Sequence, residues 1–392
     1  MKGIAMDYRP DNNSGFNSQS YGGYVQNNPN PQNTPSPAEI YNASVNASAP
    51  QYHYGLPQGF LDPNYIEKQR QQMLEHRKHE KKLRLLGTNT GITLLIVLIF
   101  SFVFSLSFYL PTISHLYETN LAFASAFGVF YSAISVGLAF LIGSKLFKRS
   151  KALKKTPYNL PKNKSKALLL VLIGFGGCLV ANYITVFIRA FMEGMGLYSS
   201  YTALQDPSST FDVVMIFIGS AIVPPLFEEF AIRGVLMQSL RKYGDAFAII
   251  TSAFVFGVFH GNAVQIPFAF LCGLVIGYAV IATESLWTGI LIHGLMNAMS
   301  AVSSGLIYYF DEYTSNTFFY IASAAGIILG LGALLIYLKR YKFGEALKDS
   351  SPVNTLSLGE KFLKFNTSPI MIIAIIIYII NAISQLTTTP TY

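Results

Sequence analysis

Apolar residues in this chain collect into long unbroken runs instead of alternating or following one helical face. Runs close to the ~20 residues that carry a helix across a bilayer lie at about 89–110, 121–144, 167–188, 211–227, 246–264, 266–283, 287–309, 317–338 and 369–387. In lipid a spanning helix satisfies its own backbone. The pattern therefore predicts an all-α polytopic transmembrane helical bundle of eight to nine spans, the count depending on whether 369–387 crosses fully. The run 211–227 is short, and Pro224-Pro225 interrupt the backbone ladder there. A single kinked helix continuing to Leu240 is the expectation. Residues 1–62 show no apolar periodicity and are rich in Asn, Pro, Ser, Gly and Tyr, so they are expected to be a disordered tail. Residues 63–88 crowd together Lys68, Arg70, Arg77, Lys78, Lys81, Lys82 and Arg84, which suits a basic juxtamembrane helix beside anionic headgroups. Two N-terminal spans and a basic loop follow at 89–164.

Composition agrees: 51% of the 392 residues are hydrophobic and 12% charged, with mean hydropathy +0.38, which excludes an ordinary soluble domain. The net charge of +8 is confined to a few segments. Placing the basic stretch before Thr90 in the cytoplasm also puts Lys145–Lys166, Arg241-Lys242 and Lys339-Arg340 there, as the positive-inside rule asks. The turns Pro111–Asn120 and Asp311–Asn316, without Lys or Arg, fall outside. The expectation is a multi-pass protein of the cell membrane with a cytoplasmic N-terminus and a polar intramembrane cavity open to the cytoplasm. No charged-then-apolar start follows Met1-Lys2, so no cleavable signal peptide is expected. No aromatic-basic motif suggests nucleic acid as a partner; the bilayer is the first partner. The two cysteines, Cys178 and Cys272, lie inside apolar runs and read as small packing residues.

Chemistry concentrates around Pro224-Pro225-Leu226-Phe227-Glu228-Glu229-Phe230-Ala231-Ile232-Arg233-Gly234. Charge at membrane depth is costly and points to function. On a helix Glu229 and Arg233 are i, i+4 neighbours in the acid-first order and pair, whereas Glu228 points about 100° away and stays free. His260 ends an apolar run, and His293 and Asn297 share a helical face within another. Each taken alone is as well explained by an interhelical hydrogen bond. Glue, however, needs no leftover carboxylate, and an unpaired glutamate in apolar surroundings suits a general base.

Glu228-Glu229-x-x-x-Arg233, Phe256-x-x-x-His260 and His293-x-x-x-Asn297, in that order and with Ser285-Leu286-Trp287-Thr288-Gly289 before the third, resemble the signature motifs of the CPBP intramembrane protease family. That family includes the CAAX prenyl endopeptidases and bacteriocin-processing or immunity proteins. The resemblance implies a protease core at 165–310; the tail, the first two spans and the C-terminal spans within 311–392 lie outside it. It implies that Glu228 and His260 activate a water, that His293 and Asn297 polarise the carbonyl and stabilise the oxyanion, and that Glu229, Arg233 and Phe256 support the site. The substrate implied is a membrane-embedded or membrane-associated peptide.

The family has often been labelled as metalloproteases, and Glu228, His260 and His293 are zinc-type ligands that leave a fourth position for water. There is no His-Glu-x-x-His helix, so a metal-free glutamate protease is the expectation, with zinc the alternative. A non-catalytic scaffold conferring immunity by sequestering a peptide is a different class of function. A transporter is another, for which an inverted repeat would be the sign; none is visible.

Overall fold

A computed structural model describes residues 63–149, 156–199, 207–342, 344, 347 and 356–388. The expected tail 1–62 and the loop 150–155 lie outside the described residues. The chain divides into two units, Met1–Arg70 and Gln71–Tyr392; of the first, only the opening of a helix is described.

The described residues are almost entirely helical. In chain order the helices are α1 (Pro63–Tyr109), α2 (Pro111–Thr119), α3 (Leu121–Arg149), α4 (Lys164–Gly194), α5 (Thr210–Tyr243), α6 (Asp245–Phe259), α7 (Gln265–Thr283), α8 (Leu286–Tyr309), α9 (Glu312–Arg340), α10 (Leu358–Asn366) and α11 (Pro369–Ser384). A two-stranded antiparallel pair, β1 (Tyr198–Ser199) with β2 (Leu386–Thr387), is the one sheet among them. The basic stretch and the first apolar run form one continuous helix, α1. Helix starts are set by side chains that take the unpaired N-terminal amides. Asn163 accepts from the Lys166 amide at α4, Ser209 from Asp212 at α5, and Asp311 from Thr314 at α9.

Seven helices, α1, α3, α4, α5, α7, α8 and α9, are long and apolar enough to cross a membrane, and the pair α10 and α11, bent by 78°, makes an eighth if counted as one span. The outward surfaces carry large apolar side chains, such as Phe102, Phe187 and Ile328, exposed by 64%, 73% and 68%, as a lipid-facing surface requires. The chain is a multi-pass membrane protein. One expected span is not found: the run 246–264 yields α6, a helix of 15 residues. At ~1.5 Å per residue it is roughly 22 Å long, against a hydrocarbon core of ~30 Å. Apolarity alone concealed this, because α6 is buried in protein: Phe247 is 1% exposed, and Ala253 and Val255 are 0% exposed. The nine-span count therefore falls to eight at most among the described residues.

α4 packs against α7, α8 and α9, and α6 against α7, around a core that includes Leu179, Val235, Leu236, Val255, Ile276 and Ile292. The helices alternate in direction. Consequently the basic termini, Lys164–Lys166 of α4, Arg241 of α5 and Lys339-Arg340 of α9, gather at one end of the bundle.

Candidate active site

Two prolines shape the central helix. In an α-helix the Ser220 carbonyl would accept from residue 224, and in a π-helix from residue 225. Both are proline, and neither has an N–H. α5 responds with a π-helical segment at Ile218–Ile222, in which Val223 N–H donates to Ile218 O, and a second at Phe230–Met237. The short α-helical piece between them, Val223–Glu229, carries the two glutamates. Asn297 on α8 completes the repair, donating its Nδ2–H to the stranded Ser220 carbonyl at 2.9 Å.

Beneath the site Arg233 and Glu229 are fully buried. Arg233 Nη1 donates to Glu229 Oε1 at 2.7 Å. The guanidinium carbon stands 4.4 Å from the Phe256 ring centroid, a cation–π contact. The same Oε1 lies 3.0 Å from His293 Nδ1. Paired with Arg233, the Glu229 carboxylate is the acceptor, so Nδ1 carries the hydrogen and Nε2 of the neutral ring is bare. That Nε2 lies 4.0 Å from Glu228 Oε2. His293 thus stands between the two glutamates, and Glu229, expected only to hold Arg233, also fixes the orientation of an imidazole.

His260, just past the end of α6, brings its Nδ1 to the Phe256 carbonyl at 2.7 Å. A carbonyl can only accept, so Nδ1 is the protonated nitrogen and Nε2 is left for other partners. Phe256 is the hub of the arrangement: its ring meets His260 at 4.8 Å and His293 at 5.8 Å between centroids, both edge-on, besides Arg233.

Glu228, Phe256, His260, His293 and Asn297 all line one cavity of ≈ 610 Å³. Glu229 and Arg233 sit below it. The charge pattern predicts a cytoplasmic mouth, on the side of the basic loops. The lining runs the other way: Ser300, Ser304 and Ile307 lie toward the Tyr309 end of α8, and Gln265 opens α7, so the cavity reaches the helix ends that lack the basic cluster.

Several lining residues escaped the sequence reading. Ser300 and Ser304 continue the His293–Asn297 stripe at helical spacing, a signal that was available. Cys178 and Cys272, expected to be packing residues, line the cavity as free, buried thiols. Gly289 packs against the ion pair: a Cβ there would lie 3.0 Å from Glu229 Oε2 and 2.7 Å from Val280 Cγ2. Ser285 and Trp287 hold a strap formed by residues 156–160. Ser285 Oγ donates to Asn159 O at 2.8 Å, Trp287 Nε1 to Tyr158 O at 2.9 Å, and Leu286 N to Pro157 O at 2.8 Å. Thr156 Oγ1 in turn donates to Gly234 O at 2.9 Å.

The C-terminal helix secures the turn after His260. Asn381 Nδ2 and Gln385 Nε2 donate to the Gly261 carbonyl at 3.0 and 3.1 Å, and Asn262 Nδ2 donates to Gln385 Oε1 at 2.8 Å. Asn262 Oδ1 accepts from the amides of Val264 and Gln265, starting α7. Gly261 has φ +58°, and Asn381 fills the space a side chain would need. That left-handed conformation suits glycine.

A zinc ion needs three protein ligands turned to a common point. Among the described residues no group of three or more His, Cys, Asp or Glu side chains is so arranged, and Glu228, His260 and His293 as they stand do not fit one. No step below runs through a metal.

Comparison with curated proteins and with solved structures gives no match. Residues 210–299 match the family model described as Type II CAAX prenyl endopeptidase Rce1-like. That stretch holds Glu228-Glu229, Arg233, Phe256, His260, His293 and Asn297, and the match supports the resemblance of this part of the chain to the CPBP intramembrane protease family.

Proposed function

We propose that this protein is an intramembrane endopeptidase that hydrolyses a membrane-associated peptide, with Glu228 as general base. The observation that carries the reading is the charge balance of the site. Arg233 is neutralised by Glu229, so Glu228, 13% exposed at its side chain, is a second carboxylate in a polar cavity with two imidazoles whose tautomers are set by Glu229 and by the Phe256 carbonyl. A purely structural polar cluster has no use for it.

In this proposal water in the cavity gives a proton to Glu228 as its oxygen attacks the peptide carbonyl, and His260 Nε2 serves as the second acceptor that orients the water. His293 keeps Nδ1–H on Glu229 and donates to the developing oxyanion in its imidazolium form, whose second proton, on Nε2, is taken from solvent before the water attacks. Asn297 spends one N–H on Ser220 O and has a second for the same oxyanion. Such donors are worth ~2.7–4 kcal/mol each in a water-poor site. Collapse of the tetrahedral intermediate returns the proton from Glu228 to the leaving amine. The metal-free mechanism is part of the proposal.

We also place the N-terminus and the basic helix ends at the cytoplasmic face of the cell membrane. The cavity then admits peptide from the opposite face. The matching family is described by prenyl endopeptidases; the substrate class proposed here is the wider one of membrane-associated peptides. The test compares membrane proteomes of cells carrying wild type, Glu228→Gln or no protein, followed by cleavage of the accumulated peptide in proteoliposomes. Cleavage lost in Glu228→Gln supports the reading. Peptide that is bound by wild type and never cut supports a non-catalytic scaffold instead.

A further inference from the structure

A second polar cavity, of ≈ 630 Å³, lies at the opposite, basic end of the bundle. Asn159, Lys162 and Asn163 from the strap, Lys166 of α4, Arg241 of α5 and Tyr341 after α9 form its polar wall, and Ile281, Ala282 and Leu160 its apolar part. The charges do not cancel. Arg241 Nε is engaged by Asp245 at 2.8 Å, and Glu284 stands exposed at the rim, but neither Lys162 nor Lys166 has a carboxylate within ion-pair distance among the described residues. Lys166 Nζ sits 5.5 Å from the centre of the Tyr341 ring, whose hydroxyl receives Asn163 Nδ2–H at 3.3 Å.

We propose that this cavity binds a phosphate-bearing anion, supplied by the headgroup of an acidic phospholipid. Three observations converge. Lysines around a polar recess between helix ends recognise anionic headgroups. The depth is that of headgroups: α4 begins and α7 and α9 end here, and Trp287 beside the cavity is 40% exposed with its indole N–H on Tyr158 O. That is the placement of an interfacial aromatic. The lining is amphipathic, with Lys162 and Lys166 on the same cavity as Ile281 and Ala282, which matches a phosphate attached to an acyl-bearing glycerol better than a free solute. The strap that supplies Asn159, Lys162 and Asn163 is also bonded to Gly234 on α5 and to the start of α8, the helices bearing Glu228 and His293. A lipid bound here therefore braces the framework of the other cavity.

The test uses the full-length protein in nanodiscs of phosphatidylcholine with and without phosphatidylglycerol, with native mass spectrometry counting retained phosphatidylglycerol. Wild type retains it, and Lys162→Gln with Lys166→Gln lowers retention at least tenfold. Lys145→Gln with Lys148→Gln, which removes equal charge from the end of α3, leaves it unchanged. Equal losses in both double variants, or no retention by wild type, overturn the site. A third arm adds inorganic phosphate to phosphatidylcholine nanodiscs and follows amine labelling of Lys162 and Lys166. Protection by phosphate where phosphatidylglycerol gives none overturns the lipid source.

Discussion

Replacing Glu229 by Gln tests the architecture beneath the candidate site most directly. Glu229 Oε1 serves both Arg233 Nη1 at 2.7 Å and His293 Nδ1 at 3.0 Å, and neither Glu229 nor Arg233 has any solvent exposure. The amide keeps the shape and the accepting oxygen but removes the charge. Arg233 then retains the Phe256 ring and a long contact to Gly273 O at 3.5 Å, both present already and neither able to balance a guanidinium. Removing one partner of a buried pair costs ~3–5 kcal/mol, against a total stability of roughly 5–15 kcal/mol for a folded protein. Glu228→Gln is the contrast: among the described residues its ion-pair contact is His293 Nε2 at 4.0 Å, and no guanidinium is paired with it. The expected cost is below ~1 kcal/mol. Melting curves in detergent, recorded beside yield and peptide cleavage, separate the two. Glu229→Gln is expected to melt several degrees lower with poor yield and lost activity, and Glu228→Gln to melt like wild type and be inactive. A Glu229→Gln protein as stable as wild type, with Glu228→Gln destabilised, would refute the assignment.

Gly289→Ala puts a methyl group 3.0 Å from Glu229 Oε2 and 2.7 Å from Val280 Cγ2; the expected loss of ~1–3 kcal/mol is read from melting curves. Asn297→Ala strands the Ser220 carbonyl that two prolines leave without a helical partner, at a cost of ~1–3 kcal/mol; unchanged melting with lost cleavage would leave Asn297 an oxyanion donor alone. Gln385→Ala takes one of two donors from the Gly261 carbonyl and frees Asn262 Nδ2, and hydrogen exchange of the 260–264 turn is expected to rise ahead of that of α6. Ser304→Cys is expected to react with an impermeant maleimide applied from the face opposite the basic loops; labelling solely from the basic side would reverse the proposed entry.

Much of this protein was legible in one dimension because lipid imposes a long, simple pattern. Helices, their alternation and the gathering of basic ends follow from unbroken apolar runs and flanking Lys and Arg, and the three motifs name the polar residues that such runs would otherwise exclude. The i, i+4 relation of Glu229 to Arg233 is local and survives even the π-helical stretch that begins at Phe230. Only the tertiary structure decided what was non-local. α6 reads as a span by composition, yet it is a short helix enclosed by neighbours, since burial in protein and burial in lipid select the same side chains. The double proline announces a broken ladder, but not that Asn297, on a helix three elements later, supplies the missing donor. Glu229 looks committed to Arg233 until α8 brings His293 to the same oxygen. The clamp of Asn381 and Gln385 on Gly261 joins residues more than a hundred positions apart through single amide bonds, which leave no periodicity to read. Which residues line the cavity, from Glu228 on α5 to Ser304 on α8 and Gln265 on α7, follows from packing between helices and not from the run of residues along any one of them.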